Sequence, residues 1–543
     1  MPSILLVEDN ADQRLMRRII LERVGYTVRE AGGPQEALEA VAGQQPDCVL
    51  MDMRMPRAAD GLELIDRLRA LAPDVPVVVL SGFLGDLEGT PQASQVDELL
   101  SKPVRTERLL HAISRLTRPA AVALLMVSAA LHGQELRFES SGRGETAAYL
   151  ELSSPGADWS KEGRQAAVAR IMVDGTLSQH LYVWSGPSAR TYAVVLGRLS
   201  PGAHTLRVER DPASAGTLQI GYGPIRTEEV PPGDARFPLI ANAPVLYERE
   251  TARGRFSDIP LLMYATRLDG AIEYTVVFSN EDGGTSTRDL MARWGRTTDI
   301  EFIYRVWPGP AGKPARTLIQ TRGHKEVPFA GAYRDLHPVL MPVTENNMVD
   351  AAPASSQGLL FRPLPVEVAA GEGSRERVMD ADPATYVLMA KELERENKIR
   401  PWGKFEGESI GDPRTYLYIE FESRLEAGWI EAVVQPRGSK RWYRSSLGLA
   451  GDHIEAGGWR RIAVEMPPGT RERGVATLGF TCLSSRKLVK EDVPKNGRCT
   501  LLRLGRVFFL DDGYRPGEPL RFIPPSRSGE AIGVGEMVAF EAF

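Results

Sequence analysis

Residues 48–56 of this 543-residue chain read C-V-L-M-D-M-R-M-P. Four apolar residues run straight into Asp52, with Arg54 and Pro56 behind it. A buried strand that delivers a carboxylate at its C-terminal end, just before a turn, is how an open α/β sheet builds a ligand site. Alone the signal is weak, because an aspartate after an apolar strand is common. It gains force from three other stretches. Glu8 and Asp9 follow the apolar run 4–7, Ser81 follows 77–80, and Lys102 follows 99–101.

Amphipathic segments separate those runs. The pattern predicts strands over 4–7, 26–31, 47–52, 75–80 and 99–101, and helices over 11–24, 34–42, 62–71 and 106–116. In the first helix Leu15, Ile19, Ile20 and Val24 fall at helical spacing, and Gly25 stops it. Continuous apolar strands alternating with helices define a doubly wound α/β fold, a five-stranded parallel flavodoxin-like sheet covered on both faces. Glu8, Asp9, Asp52, Ser81 and Lys102 then share its carboxyl edge.

Residue types dictate the chemistry expected there. Converging carboxylates repel one another and favour a hard divalent cation. Mg2+ prefers octahedral oxygen ligands at about 2.0–2.1 Å. Asp9 and Asp52 would supply two oxygens, the backbone carbonyl of Arg54 a third, and Glu8 would act through water. Asp52 suits an oxygen nucleophile toward phosphorus. Lys102 suits a phosphoryl oxygen as a point charge, and the Ser81 hydroxyl suits another.

The motifs V-E-D-N (7–10), L-M-D-M-R-M-P (50–56), V-V-L-S-G (78–82) and L-S-K-P (100–103) resemble the receiver domain of two-component response regulators, over residues 1–118. The resemblance implies that Asp52 accepts a phosphoryl group from a sensor histidine kinase or phosphotransfer protein. It also implies that Glu8 and Asp9 hold Mg2+, and that Ser81 and Lys102 read the phosphate. Two departures stand out. Leu99 occupies the position where the family usually carries Tyr or Phe, and Gly89-Thr90-Pro91 interrupts the expected fourth helix.

Beyond residue 118 the chain changes character. All eight tryptophans lie after residue 150, among alternating patterns rich in Gly and Pro. A net charge of −5 provides no basic field for nucleic acid, and no helix-turn-helix follows the first domain. Three cysteines without a C-x-x-C argue against a zinc framework. Cys48 reads as a buried small apolar residue. Cys482 and Cys499 read either as a disulfide or as two unlinked thiols.

Residues 119–133 contain an apolar run, 120–131, shorter than the about 20 residues of a membrane span. Three readings are open: an apolar linker, the signal peptide of a once separate secreted protein, or a membrane-associated hairpin. Residues 134–230 suggest a β-sandwich, with strands at 135–139, 147–152, 167–173, 180–184, 191–196, 204–209 and 217–222. Residues 231–350 read as a β-rich domain, 351–373 as a linker, and 374–543 as a second sandwich ending near Pro524-Pro525. Within these, 391–398 reads as a charged exposed helix and 280–285 as a hairpin turn.

Two clusters attract functional readings. His324, Glu326, Asp335, His337 and Glu345 form either a metal or acid–base site or a set of loop polar residues. Trp429, Trp442 and Tyr443 form either a carbohydrate-stacking platform or core and hairpin aromatics. The overall expectation is a Mg2+-dependent phosphorelay receiver, cytoplasmic, joined to a β-rich region with no catalytic motif. The rivals make residues 134–543 a secreted or periplasmic glycan-binding module or a metal-assisted hydrolase, with the receiver a fused passenger.

Overall fold

Residues Ile4–Val7 in β1 (Ser3–Val7), Cys48–Met51 in β3 (Cys48–Asp52) and Val77–Leu80 in β4 (Val77–Ser81) are apolar throughout, so both faces of these strands must be covered. In the computed structural model they form the centre of a parallel sheet in the order β2-β1-β3-β4-β5, where β2 is Thr27–Ala31 and β5 is Glu98–Ser101. The structure describes the chain from residue 3 except 24–25, 56, 83, 88, 103, 105–108, 111, 114–115, 118–132, 213, 215–217, 250–257, 282, 310–312, 357, 372, 405–406, 450–451, 485–496 and 525–528. Residues Met1–Ala129 and Ala130–Phe543 are two separate units.

The period-two alternation of a strand divides the first unit's core in two. Leu5, Val7, Val49, Met51, Val77 and Val79 pack against Leu38, Val41, Leu64, Ile65 and Leu68 of α2 (Pro34–Gly43) and α3 (Ala58–Leu71). Ile4, Leu6, Cys48, Leu50, Val78 and Leu80 face the other way, toward Leu21 of α1 (Ala11–Arg23) and toward Leu109, Ala112 and Ile113. Cys48 is buried as expected, and burial pushes its thiol up to about 12, which keeps it protonated and inert. Each such leucine contributes about 1.5–3 kcal/mol. Gly61 fixes the approach of α3, because a Cβ there would lie 2.1 Å from the carbonyl oxygen of Met53.

Between β4 and β5 the described residues form only two short 3-10 turns, Leu84–Asp86 and Pro91–Gln95. Gly89, at φ 76°, and Pro91 break the helix that the resemblance would place there. Val24, Gly25, the side chains of Leu15, Ile19 and Ile20, much of the helix expected over 106–116, and nearly all of 119–133 lie outside the described residues.

The second unit is built of mostly antiparallel sheets. Its first sandwich pairs the strands Arg190–Gly197, Glu145–Ser153 and Gly221–Val230 in one sheet. The other sheet orders Gln134–Ser140, Gly202–Arg210, Ala167–Val173 and Thr176–Val183. The last strand expected, 217–222, instead spans Gly221–Val230, where it pairs along Glu145–Ser153 with a register shift around Pro224. A six-stranded sheet follows, centred on Asp299–Pro308 and Ala271–Phe278. The closing sandwich stacks a sheet centred on Tyr416–Glu426 against one centred on Gly428–Pro436 and Val475–Ser484.

Several expectations for this unit change. One apolar cluster runs from Ala148 through Tyr274 and Tyr386 to Leu510, across the boundaries expected at 230 and 350. The stretch 351–373 is not a free linker, because its apolar Leu360-Phe361 pairs with Val245–Tyr247 and its Arg362 backbone bonds Val195. The helix placed at 391–398 spans Ala384–Arg395 and is not an exposed element: Tyr386, Leu388, Met389, Ala390 and Leu393 are buried on one face. The segment 280–285 is not a hairpin turn but leads into the helix Thr287–Trp294, capped by Ser286, whose hydroxyl accepts from the Asp289 N–H. After Pro524 the chain returns to both sheets as Ala531–Gly533 and Met537–Ala542. Cys482 and Cys499 form a disulfide buried in this sandwich.

Candidate functional site

Parallel register brings the polar strand ends together. Val7 pairs with Met51, Asp52 with Leu80, and Ser81 with Ser101. Glu8 just after β1, Asp52 and Ser81 at the ends of β3 and β4, and Lys102 just after β5 therefore emerge at one edge of the sheet. Glu8 and Ser81 are buried at 1% exposure, Asp52 is buried at 9%, and Asp9 is exposed. One oxygen each from Glu8, Asp9 and Asp52 lies within 4.8 Å of the others, the one such group of metal-binding type among the described residues. Three hard oxygen donors around one point, with Asp9 open to water, suit Mg2+, which keeps part of its water shell.

Lys102 closes the site. Its ammonium donates to Asp52 Oδ2 at 2.7 Å and lies 3.7 Å from Glu8 Oε2. Its backbone N–H donates to the Ser81 carbonyl at 2.7 Å, which ties β5 to β4 at the edge. The Arg54 N–H points back to Asp52 Oδ1 at 3.5 Å, so the turn after β3 curls around the carboxylate. The exposed Arg54 side chain reaches outward to Asp86 in a bidentate pair, Nε to Oδ2 at 2.7 Å and Nη2 to Oδ1 at 2.8 Å. That hydrogen bond holds the Asp86 carboxyl below its ordinary value. Leu99 is half-buried against the α2–α3 side of the core, so an aliphatic side chain takes the place of the usual aromatic ring. Pro56 and Pro103 of the motifs lie outside the described residues.

Two residues here had not been singled out from sequence. Arg14 donates to the backbone carbonyls of Glu8 and Asp9. Arg17, one helical turn on, places Nη1 on Glu8 Oε2 with its side chain only 12% exposed. Burial lowers the Arg17 pKa, and the nearby Asp52 charge works against that. The three-residue spacing in R-L-M-R was the available signal, because it puts both guanidiniums on one face of α1.

The clusters of the second unit do not converge. His324 is exposed and meets Gln320, and Glu326 pairs with Arg305. His337 is buried between the Ala243 carbonyl and Glu145. Asp335 is exposed, and Glu345 borders an open groove of about 540 Å3 with Arg249 and Arg322. The five are therefore not one metal or acid–base site. Trp429 is 8% exposed and packs its ring against His453 at 5.8 Å, so it offers no stacking face, while Trp442 and Tyr443 are half-buried. No described helix is long and apolar enough to cross a membrane.

The edge geometry and the parallel sheet define an α/β domain with an acidic, lysine-closed site. Comparison with known sequences makes this specific: residues 4–114 match the family described as the response regulator receiver domain, and this part of the chain is such a domain. Curated relatives include the C4-dicarboxylate transport transcriptional regulatory protein DctD of Rhizobium meliloti, 34% identical, with 21% of this chain and 25% of that protein covered. The response regulator MprA of Mycobacterium ulcerans is 37% identical over 21% of this chain and 50% of its own length. The autoinducer 1 sensor kinase/phosphatase LuxN of Vibrio campbellii is 30% identical over 21% of this chain and 13% of its own. The match thus spans half or less of each of these relatives. Among solved structures, the receiver domain protein of Clostridium thermocellum is 26% identical, covers 23% of this chain and 99% of its own, and has a TM-score of 0.21.

Proposed function

We propose that Asp52 is the phosphoryl acceptor of a phosphorelay, and that the cluster of Glu8, Asp9 and Asp52 beside Lys102 is the observation that carries this reading. Glu8, Asp9, Asp52 and the Arg54 carbonyl would hold Mg2+, whose charge offsets that of the incoming phosphoryl oxygens. An Asp52 oxygen attacks phosphorus in line, and the phosphorus–nitrogen bond of a phosphohistidine donor breaks. The electron pair returns to the imidazole, which then takes a proton. Lys102 shifts from Asp52 to a phosphoryl oxygen, and the Ser81 hydroxyl donates to another. The donor is a histidine kinase or phosphotransfer protein, and the reaction is cytoplasmic. Treating the full chain with a small-molecule phosphodonor and Mg2+ tests this. Hydroxylamine-labile label on the wild type and none on Asp52→Asn is expected, and label on both variants would refute the acceptor assignment.

A second reading is favoured by one observation, the buried Cys482–Cys499 disulfide. Disulfides persist in oxidising compartments. Residues 134–543 then work outside the cytosol, as an exported binding module separate from the receiver. Epitope tags at both ends, with cell fractionation and thiol alkylation, distinguish the two. One full-length cytosolic species with both thiols free would eliminate the exported module.

A further inference from the structure

The acid pocket already holds two cations of its own. Lys102 is expected from the strand pattern, but Arg17 arrives from α1 and shares Glu8 Oε2 with it. Glu8 is 1% exposed, and its Oε2 meets both of these side chains. Formal charges in the pocket are three negative, from Glu8, Asp9 and Asp52, and two positive, from Lys102 and Arg17. The sum is −1, where a pocket with Lys102 alone would carry −2. A divalent cation arriving beside Glu8 meets a guanidinium already seated there. It must either displace Arg17 or bind in its repulsive field.

We propose that Arg17 is a built-in competitor of the divalent cation, a positioning residue that occupies Glu8 while the pocket is empty and weakens Mg2+ binding to the unphosphorylated domain. Arg14 does not share this task, since at the pocket it holds only the backbone carbonyls of Glu8 and Asp9, and its carboxylate partner is Glu30, outside the pocket. The arrangement has a use. With Arg17 present, the Mg2+-loaded pocket carries +1, and the extra negative charge of a phosphorylated Asp52 brings it to neutrality. Without Arg17 the loaded pocket is neutral before the phosphoryl group arrives. Arg17 thus shifts the charge balance toward the state that holds metal and phosphoryl together.

This inference rests on the acidic edge being a Mg2+ pocket, and the test separates the two. Mg2+ is titrated calorimetrically into the full chain as wild type, Arg17→Met and Arg17→Lys, with no phosphodonor present. Arg17→Met keeps the side-chain stem and removes the charge, and Mg2+ should bind about tenfold tighter, within the usual range of coupling between sites. Arg17→Lys should bind close to wild type. Circular dichroism without Mg2+ checks that both variants stay folded. An Arg17→Met affinity equal to wild type overturns the competition, and a weaker one makes Arg17 a structural support for Glu8 instead. If the wild type takes up no Mg2+ at all, it is the metal-pocket reading that fails.

Discussion

Arg461 is wholly buried in the second unit, and its removal has a magnitude that can be worked from its partners. Nη1 donates to Asp380 Oδ1 at 2.8 Å, to the Tyr386 hydroxyl at 2.8 Å and to the Glu376 carbonyl at 3.2 Å. Nη2 donates to Asp380 Oδ2 at 2.7 Å and to Glu420 Oε2 at 3.2 Å. Arg461→Met fills similar space but removes one guanidinium from two buried carboxylates. Breaking a buried pair by removing one partner costs about 3–5 kcal/mol. Asp380 keeps Arg506 at 2.7 Å, and Glu420 keeps Arg377 at 2.8 Å, which places the expected loss near the lower end, about 3 kcal/mol. The assay is urea unfolding followed by tryptophan fluorescence, which reports this unit alone because all eight tryptophans lie within it. Glu420→Gln, made alone and with Arg461→Met, closes a double-mutant cycle, and the two effects should be non-additive. A loss below about 1 kcal/mol, the value typical of solvent-exposed pairs, would refute the claim that this network is dry.

Two further outcomes are expected. Burial, with repulsion from Asp299, pushes Glu281 up to about 7, and burial pushes Asp299 up to about 6 against the pull of Arg296. The folded unit therefore binds these protons more tightly than the unfolded chain. The resulting stability is complete below about pH 4 and is lost as pH rises through 6 to 7. Glu281→Gln should match the wild type at about pH 4 and exceed it at about pH 8 by up to about 3 kcal/mol; equal urea midpoints at the higher pH would contradict this. In the first unit, Gly61→Ala drives a methyl into the Met53 carbonyl next to Asp52. It should cost about 1–3 kcal/mol in a thermal melt followed by helical circular dichroism and reduce the phosphoryl label, and an unchanged melt would mean that α3 yields freely.

The receiver was legible because its signals are local. The runs 4–7, 48–51 and 77–80 are apolar without a break, and each is followed by a residue whose type already names a role. Arg17 was not legible, since an arginine on an amphipathic helix ordinarily marks the solvated face, and only the fold shows that this face borders Glu8. In the second unit, the helix Thr287–Trp294 had its signals in plain view: the Ser286 cap, Asp289 in the first turn, and Gly295 at φ 61°. They were outweighed by the glycines of 283–284, which suit a hairpin equally well. The expected boundary at 351–373 failed for a different reason. Its Ala, Pro and Ser content describes a linker, but two buried residues, Leu360 and Phe361, suffice to sew it into a sheet. Composition averages over a segment, whereas burial is decided residue by residue.

Ion pairs occur at both the Asp52 edge and the Arg461 network, and the contrast between them locates the chemistry. Around Arg461 every carboxylate has a fixed guanidinium or backbone donor, and Arg461 and Glu420 are entirely without solvent access. Nothing can enter without first breaking a pair in a dry interior, so the network holds the helix Ala384–Arg395 and the sheet of Tyr416–Glu426 in register through Tyr386 and Glu420. At the sheet edge the same kinds of groups are arranged for exchange. Asp9 faces water, Lys102 is 22% exposed and already reaches Asp52, and Glu8 Oε2 is shared by Lys102 and Arg17. The proposed acceptance of a metal and then a phosphoryl group requires charges that can change partners at low cost. Of these two networks, the edge around Asp52 is the one arranged that way.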